Sequence, residues 1–336
     1  MKTSRRDFIK SSMLITAGLS SMAISAEGHS LDIIDVDNSY LAHGKDTDSF
    51  KISIFSKHLQ WLDYTEMANV AAGMGFDGVD LTVRPQGHVL PERVVEDLPK
   101  AVAAVRNAGM NVYMITTAIK NADDPITENI LKAASSLGIR HYRMGWFNYD
   151  EKISVEENLK IIRNHLTKLA ILNKKYAIQG EYQNHSGMYF GAPIWDLQAV
   201  LKQINSPWIG SQYDIYHATI EGANTWPVGL KLVKPYIKSI CIKDFQWTKK
   251  ENQWLVETVP IGEGMVNFKE YFRLLKQYNI TIPISLHYEY PLGGAEHGNS
   301  TLTIAREEVV TAMKQDLNTL RKLLTNEKLI DLASEK

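Results

Sequence analysis

From Phe50 onward, short apolar runs alternate with longer segments of helical period. The short runs predict strands over 51–55, 78–83, 111–116, 141–145, 177–182, 209–214, 239–243 and 284–289. Between them, apolar positions three and four apart predict helices over 63–72, 94–108, 127–137, 155–172, 192–203, 225–233 and 267–277. Gly75, Gly109 and Gly138 each stand just before a strand, where helix C-caps belong. Residues 321–336 read as a last helix and a frayed tail. Strand and helix alternating in this way predict a (β/α)8 barrel, the TIM-barrel class. The competing architecture is the doubly wound open sheet. It usually carries a glycine-rich turn after the first strand, and Ser53-Ile54-Phe55-Ser56-Lys57-His58 has none.

The pattern fails before residue 50. Residues 27–49 are polar, rich in Asp, Ser and Gly, and read as a tether. At the start, Ser4-Arg5-Arg6-Asp7-Phe8-Ile9-Lys10 resembles the twin-arginine export signal, and a weakly apolar stretch with small residues follows. Residues 1–26 are therefore expected to be a removable leader, 50–325 the barrel and 326–336 a tail. The mature protein is expected in the periplasm or otherwise exported.

Charge and cysteine content narrow the partners. The chain carries −1 and its leader +3, so the mature part is near −4. That balance excludes nucleic acid and anionic membrane as expected partners, and argues against an endonuclease of the same broad fold. No apolar run after the leader is long enough to span a bilayer, so no membrane anchor remains after processing. The single Cys241 forms no internal disulfide.

In a barrel the inward residues alternate along each strand, and chemistry sits at the C-terminal ends. The later strands end in polar runs: Gln179-Gly180-Glu181-Tyr182-Gln183-Asn184-His185, Gln212-Tyr213-Asp214 with His217 beyond, Cys241-Ile242-Lys243-Asp244, and Ser285-Leu286-His287-Tyr288-Glu289. One inward set is Glu181, Gln183, His185, Gln212, Asp214, Cys241, Lys243, His287 and Glu289. So many polar groups in a barrel interior must be paired, metal-bound or facing a substrate. Earlier strands add Lys57-His58, Asp80, Thr82, Arg84, His88, Arg143 and Trp146. Trp61, Trp146, Trp247 and Trp254 offer flat faces for sugar rings, and residues 245–259 read as a loop or hairpin over the mouth.

The ordered series Gly75-Phe76-Asp77-Gly78-Val79-Asp80-Leu81, Tyr182-Gln183-Asn184-His185-Ser186-Gly187, Tyr213-Asp214-Ile215-Tyr216-His217-Ala218, Ile242-Lys243-Asp244, Ile261-Gly262-Glu263-Gly264 and Ser285-Leu286-His287-Tyr288-Glu289 resembles the xylose isomerase-like family of sugar (phosphate) isomerases and epimerases. The resemblance spans roughly 51–324. It implies a (β/α)8 barrel, proton transfer next to a carbonyl, and a divalent metal, often Mn²⁺. The family's quartet of Glu, Asp, His and Glu falls here on Gln183, Asp214, Cys241 and His287, so only Asp214 is unchanged. Two arrangements are open. A divalent metal (Mn, Mg or Zn) sits among Asp214, His287 and a shifted carboxylate, Glu181 or Glu289. Alternatively the metal is lost, and Lys243 and the histidines act as the electrophile. Either way Glu289 is the expected base, Lys243 its oxyanion partner and His185 a second acid/base. Arg84, Arg143, His217, His58 and Gln183 are expected to contact a small carbohydrate. The expected activity is isomerisation, epimerisation or keto-glycoside elimination. The competing reading is a non-catalytic sugar-binding protein on a degenerate barrel.

Overall fold

The computed structural model describes residues 50–331. The expected leader and tether, and residues 332–336 of the tail, lie outside the described residues.

Eight parallel strands close into a barrel: β1 (Ile52–Phe55), β2 (Gly78–Val83), β3 (Asn111–Thr117), β4 (His141–Arg143), β5 (Gln179–Gln183), β6 (Ile209–Asp214), β7 (Ile237–Ile242) and β10 (Ile284–Leu286). β10 pairs with β1 and β7, which seals the ring. β8 (Asp244–Lys250) and β9 (Gln253–Val259) form a separate antiparallel hairpin right after β7, as the stretch 245–259 predicted.

Alternation sorts the side chains. On β2, Val79, Leu81 and Val83 belong to the apolar cluster, while Asp80 and Thr82 alternate with them. The helices that cover the barrel start on polar caps. Asp63 accepts from the Glu66 N–H at 2.8 Å to open Tyr64–Met74, and Ser154 from the Glu157 N–H at 3.1 Å to open Val155–Tyr176. Tyr64–Met74 ends at Gly75, whose φ of 100° suits a residue without Cβ.

Most boundaries shift by a few residues, and three of the differences bear on the site or its cover. The strands expected over 141–145 and 284–289 stop at Arg143 and Leu286, where the paired register with each neighbour ends after three residues. His287, Tyr288 and Glu289 therefore leave the ladder and turn across the mouth, although the His287 N–H still bonds the Ile242 carbonyl at 3.0 Å. The last helix starts at Arg306, not 321. Its stripe of Val309, Met313, Leu317, Leu320 and Leu324 is narrow, and a heavily charged outer face disguises it. A short helix, Ile215–Gly222, also follows β6 directly, with Asp214 as its N-cap.

Candidate active site

The site lies at the C-terminal ends of β5, β6, β7 and β10 and is built around Lys243. This residue directly follows β7, and its side chain is 2% exposed. Its ammonium donates to His217 Nε2 at 2.8 Å and to Glu289 Oε2 at 3.2 Å. Asp214 Oδ2 is 3.5 Å away, and the Tyr216 ring lies under the charge at 4.7 Å. Burial alone would lower the lysine pKa, but Asp214 and Glu289 outweigh it and push it up. Lys243 is thus a fixed cation and not a nucleophilic amine.

Asp214 holds the lysine from below. Its backbone is locked by Asn184, which accepts from the Asp214 N–H at 2.8 Å and donates to the Asp214 carbonyl at 2.9 Å. Gln183 donates to Asp214 Oδ2 at 2.8 Å and accepts from Arg143 Nη1 at 2.8 Å. Gln183 is consequently a bridge between Arg143 and Asp214, not the free substrate contact expected of it. His217 takes the lysine proton on Nε2 and bonds Ser186 Oγ through Nδ1 at 2.8 Å. It aims Lys243, and both of its ring nitrogens are used. His185 packs on His217 with ring centroids 3.9 Å apart. Its Nδ1 bonds the Ser186 carbonyl at 2.8 Å, which leaves Nε2 unprotonated. Burial and the Lys243 charge lower its pKa.

Glu289 arches over the lysine from the β10 end. It keeps 29% of its side chain exposed, and Lys57 approaches Oε1 at 3.6 Å. Desolvation would raise this carboxyl. It is only partial here, and the Lys243, His287 and Lys57 groups outweigh it and hold the pKa well below the usual range. His287 is stacked on Phe55 at 4.3 Å. The Ser285 hydroxyl donates to Asp80 at 2.6 Å, so its oxygen accepts from His287 Nε2 at 3.1 Å. That fixes the tautomer and leaves Nδ1 as a buried lone pair without a partner. Glu289 is 3.9 Å from it, too far for a hydrogen bond. Burial, with the Lys243 and Arg143 charges, takes His287 down to about 3 against the pull of Glu289.

Three expected site residues do not join this cluster, and one of them, Arg84, lies instead against the Phe55 ring at 5.5 Å. Glu181 is spoken for by His141 Nδ1 at 2.6 Å and by the Ser239 hydroxyl, so it is not the shifted metal carboxylate. His58 is fully buried. It accepts from the Tyr288 N–H at 3.0 Å and bonds the Ala295 carbonyl at 3.2 Å, so it fixes the chain carrying Glu289 and does not reach a substrate. Lys57, a candidate from the end of the first strand, does reach the centre, whereas Tyr216, just past the end of β6, is a contact that alternation along strands did not assign. The Asp244 carboxylate accepts four backbone N–H groups, from Phe245, Gly262, Gly264 and Val266, at 2.9 to 3.1 Å. A Cβ on Gly264 would lie 2.2 Å from Asp244 Oδ1. The Lys-Asp and Gly-Glu-Gly motifs are therefore one structural joint beside the site.

A closed isomerase-type barrel with charged groups at its C-terminal mouth defines the class. The match to the xylose isomerase-like TIM barrel family runs over residues 68–322, and the chain belongs to that family. No curated protein sequence is similar enough to match. Among solved structures, 3-keto-D-glucoside 4-epimerase from E. coli is 17% identical, with TM-score 0.61 over 82% of this chain and 100% of that one. A probable 3-DHS dehydratase involved in petrobactin synthesis from Bacillus anthracis is 13% identical, with TM-score 0.60 over 81% and 99%. A xylose isomerase-like protein from Mycobacterium smegmatis, in complex with magnesium, is 13% identical, with TM-score 0.58 over 81% and 99%. At these identities the likeness establishes the fold.

The residues present do not fit the divalent metal that the family resemblance implies. Gln183 turns its amide nitrogen, not its oxygen, toward Asp214. Burial raises the Cys241 thiol pKa, with Asp214 adding to the rise, so it stays a neutral thiol. Asp214 and Glu289 already share the Lys243 ammonium. The orphaned His287 Nδ1 does not make a site by itself, and a dication beside Lys243 would be repelled. We expect chelation with EDTA to leave activity within about twofold, well short of the collapse seen when a catalytic metal is stripped. Recovery of lost activity by Mn²⁺, Mg²⁺ or Zn²⁺ after dialysis would overturn this.

Proposed function

We propose that this protein is a sugar-modifying enzyme that moves a proton alpha to the carbonyl of a keto-sugar, with Lys243 supplying the positive charge. The observation that carries the reading is the buried ammonium, held between Asp214 and Glu289 and aimed by His217 at the barrel mouth. Glu289 takes the alpha proton: the C–H bond breaks and its electron pair forms C=C as the carbonyl becomes an enediolate oxygen. Lys243 stabilises that oxyanion. Lysine and carboxylate lie side by side, as a carbonyl oxygen and its neighbouring C–H require. His185, neutral with a free Nε2, is the second acid/base that exchanges a proton with the substrate. Return of the proton gives isomer or epimer. Loss of a leaving group from the same enediolate gives elimination. An epimerase of a keto-glucoside and a probable dehydratase share this fold, which supports that pair of outcomes.

The test is exchange of alpha protons with D₂O across a panel of 3-keto-glucosides and ketohexoses. Enzyme-dependent deuterium uptake by at least one is expected. Sugar binding with no exchange anywhere would overturn the catalytic reading in favour of a binding protein. We also propose export by the twin-arginine route, on Arg5-Arg6 within its motif. Changing both arginines to lysine is expected to hold the precursor in the cytoplasm on fractionation, and normal export of that variant would refute it.

A further inference from the structure

Beyond Lys243, three more cations gather at the same mouth, of which Lys57 also approaches Glu289 and Arg143 also bonds Gln183. Phe55 ends β1, and around its ring stand the Arg84 guanidinium at 5.5 Å, the Arg143 guanidinium at 5.5 Å and the Lys57 ammonium at 5.7 Å. They come from the ends of β2, β4 and β1. Among the described residues, neither guanidinium makes an ion pair. Asp80 is the carboxylate nearest both in effect, but its bonds go to the Thr116 hydroxyl at 2.9 Å and the Ser285 hydroxyl at 2.6 Å and not to a guanidinium.

Arg143 is 4% exposed, and its Nε has no partner. It lies over Trp146 at 4.7 Å, and Trp146 Nε1 is buried and unpartnered as well. Unfilled buried donors are costly, and a buried guanidinium without a counter-ion more so. Against a neutral sugar the two guanidinium charges would be met only at a distance, by Asp80 and, for Arg143, Glu289, with no carboxylate bonded to either. The chain as a whole carries −1, so the positive charge is local to the mouth. Repulsion within the cluster is felt: burial and the Lys243, Arg84 and Arg143 charges lower Lys57 despite the pull of Glu289.

We propose that Arg84, Arg143 and Lys57 form a pocket for an anionic oxygen group, so that the substrate is a keto-sugar carrying a carboxylate or a phosphate ester. The sugar part of this statement rests on the function proposed above, whereas the anion pocket stands on the donors alone. Guanidinium groups suit either anion because their planar forks match its oxygens.

The test is titration calorimetry with D-glucuronate, D-glucose 6-phosphate and D-glucose as probes. At least one anionic probe is expected to bind about tenfold or more tightly than glucose, as charge-assisted hydrogen bonds allow. The one preferred tells carboxylate from phosphate. Added salt is expected to narrow the gap. Arg84→Gln, at a half-buried position, is expected to bring the ratio of affinities toward one. Lys57→Met gives the same reading should Arg84→Gln fail to fold. Equal affinities, no binding of either anion, or a preference untouched by both substitutions would overturn the proposal. Alpha-proton exchange without anion preference sinks this inference alone. Anion preference without exchange on any keto-sugar sinks the catalytic reading alone.

Discussion

Lys243→Met is expected to slow alpha-proton exchange by about 10²-fold or more, the scale of losing one preorganised oxyanion donor. The same change is expected to destabilise the fold. Asp214 is fully buried and would lose its cation, with the Gln183 amide and the His217 N–H remaining as donors. Removing one partner of a buried pair costs about 3–5 kcal/mol. Glu289 reaches solvent, so Asp214 dominates that figure. Asp214→Asn in the Lys243→Met background is expected to restore much of the melting temperature without restoring exchange. Stability and activity would then separate in one pair of variants. Near-normal exchange in Lys243→Met would remove the lysine from the mechanism.

Glu289→Gln is expected to cost about 10²- to 10⁴-fold in exchange, the usual range for a positioned general base. Lys243 keeps Asp214 in this variant, so folding is expected to be nearly unchanged. The acid limb carries a further signature. The folded Glu289 pKa is depressed, so the stabilisation from its pairing is fully present above the ordinary glutamate value of about 4.3 and is lost as pH falls through the lower folded value. Exchange is therefore expected to persist below pH of about 4.3 for as long as the fold holds. An acid limb above the ordinary glutamate value but below that of a free imidazole would assign the base to His185, whose pKa burial and Lys243 lower. If Glu289→Gln keeps near-normal turnover, the base is His287 Nδ1 or His185 Nε2, the two unprotonated nitrogens at the mouth.

The barrel was legible because short apolar runs alternate with helical segments that carry buried stripes. The site was legible in part because side chains alternate along a strand. Alternation puts Asp214 and Gln183 on one face, and the structure keeps them there, 2.8 Å apart. Alternation fixes a face but not a height. Glu181 shares the face of Gln183, yet it is engaged by His141 and Ser239 and never meets Asp214. Hydrogen-bond capacity is also invisible in the sequence. His58 and His217 resemble free imidazoles until the carbonyl, backbone N–H, hydroxyl and ammonium that fill their nitrogens are in place. Glu289 stood at the site although its strand had ended, because His58 catches the Tyr288 backbone just before it.

The joint at Asp244 has a mechanical consequence. This residue follows Lys243 in the chain and opens the β8–β9 hairpin, and its carboxylate also grips the backbone beyond the hairpin, at Gly262, Gly264 and Val266. Both feet of the hairpin are thus clamped to one side chain. A second tie runs from Thr258 on β9 to the Tyr216 hydroxyl at 2.9 Å, and the Tyr216 ring supports the lysine charge. A hairpin clamped in this way bends as a cantilever, with its travel largest at the Lys250–Gln253 tip and smallest at its root. Force applied to the exposed Trp254 is delivered by these two struts to the backbone and the ring that seat Lys243.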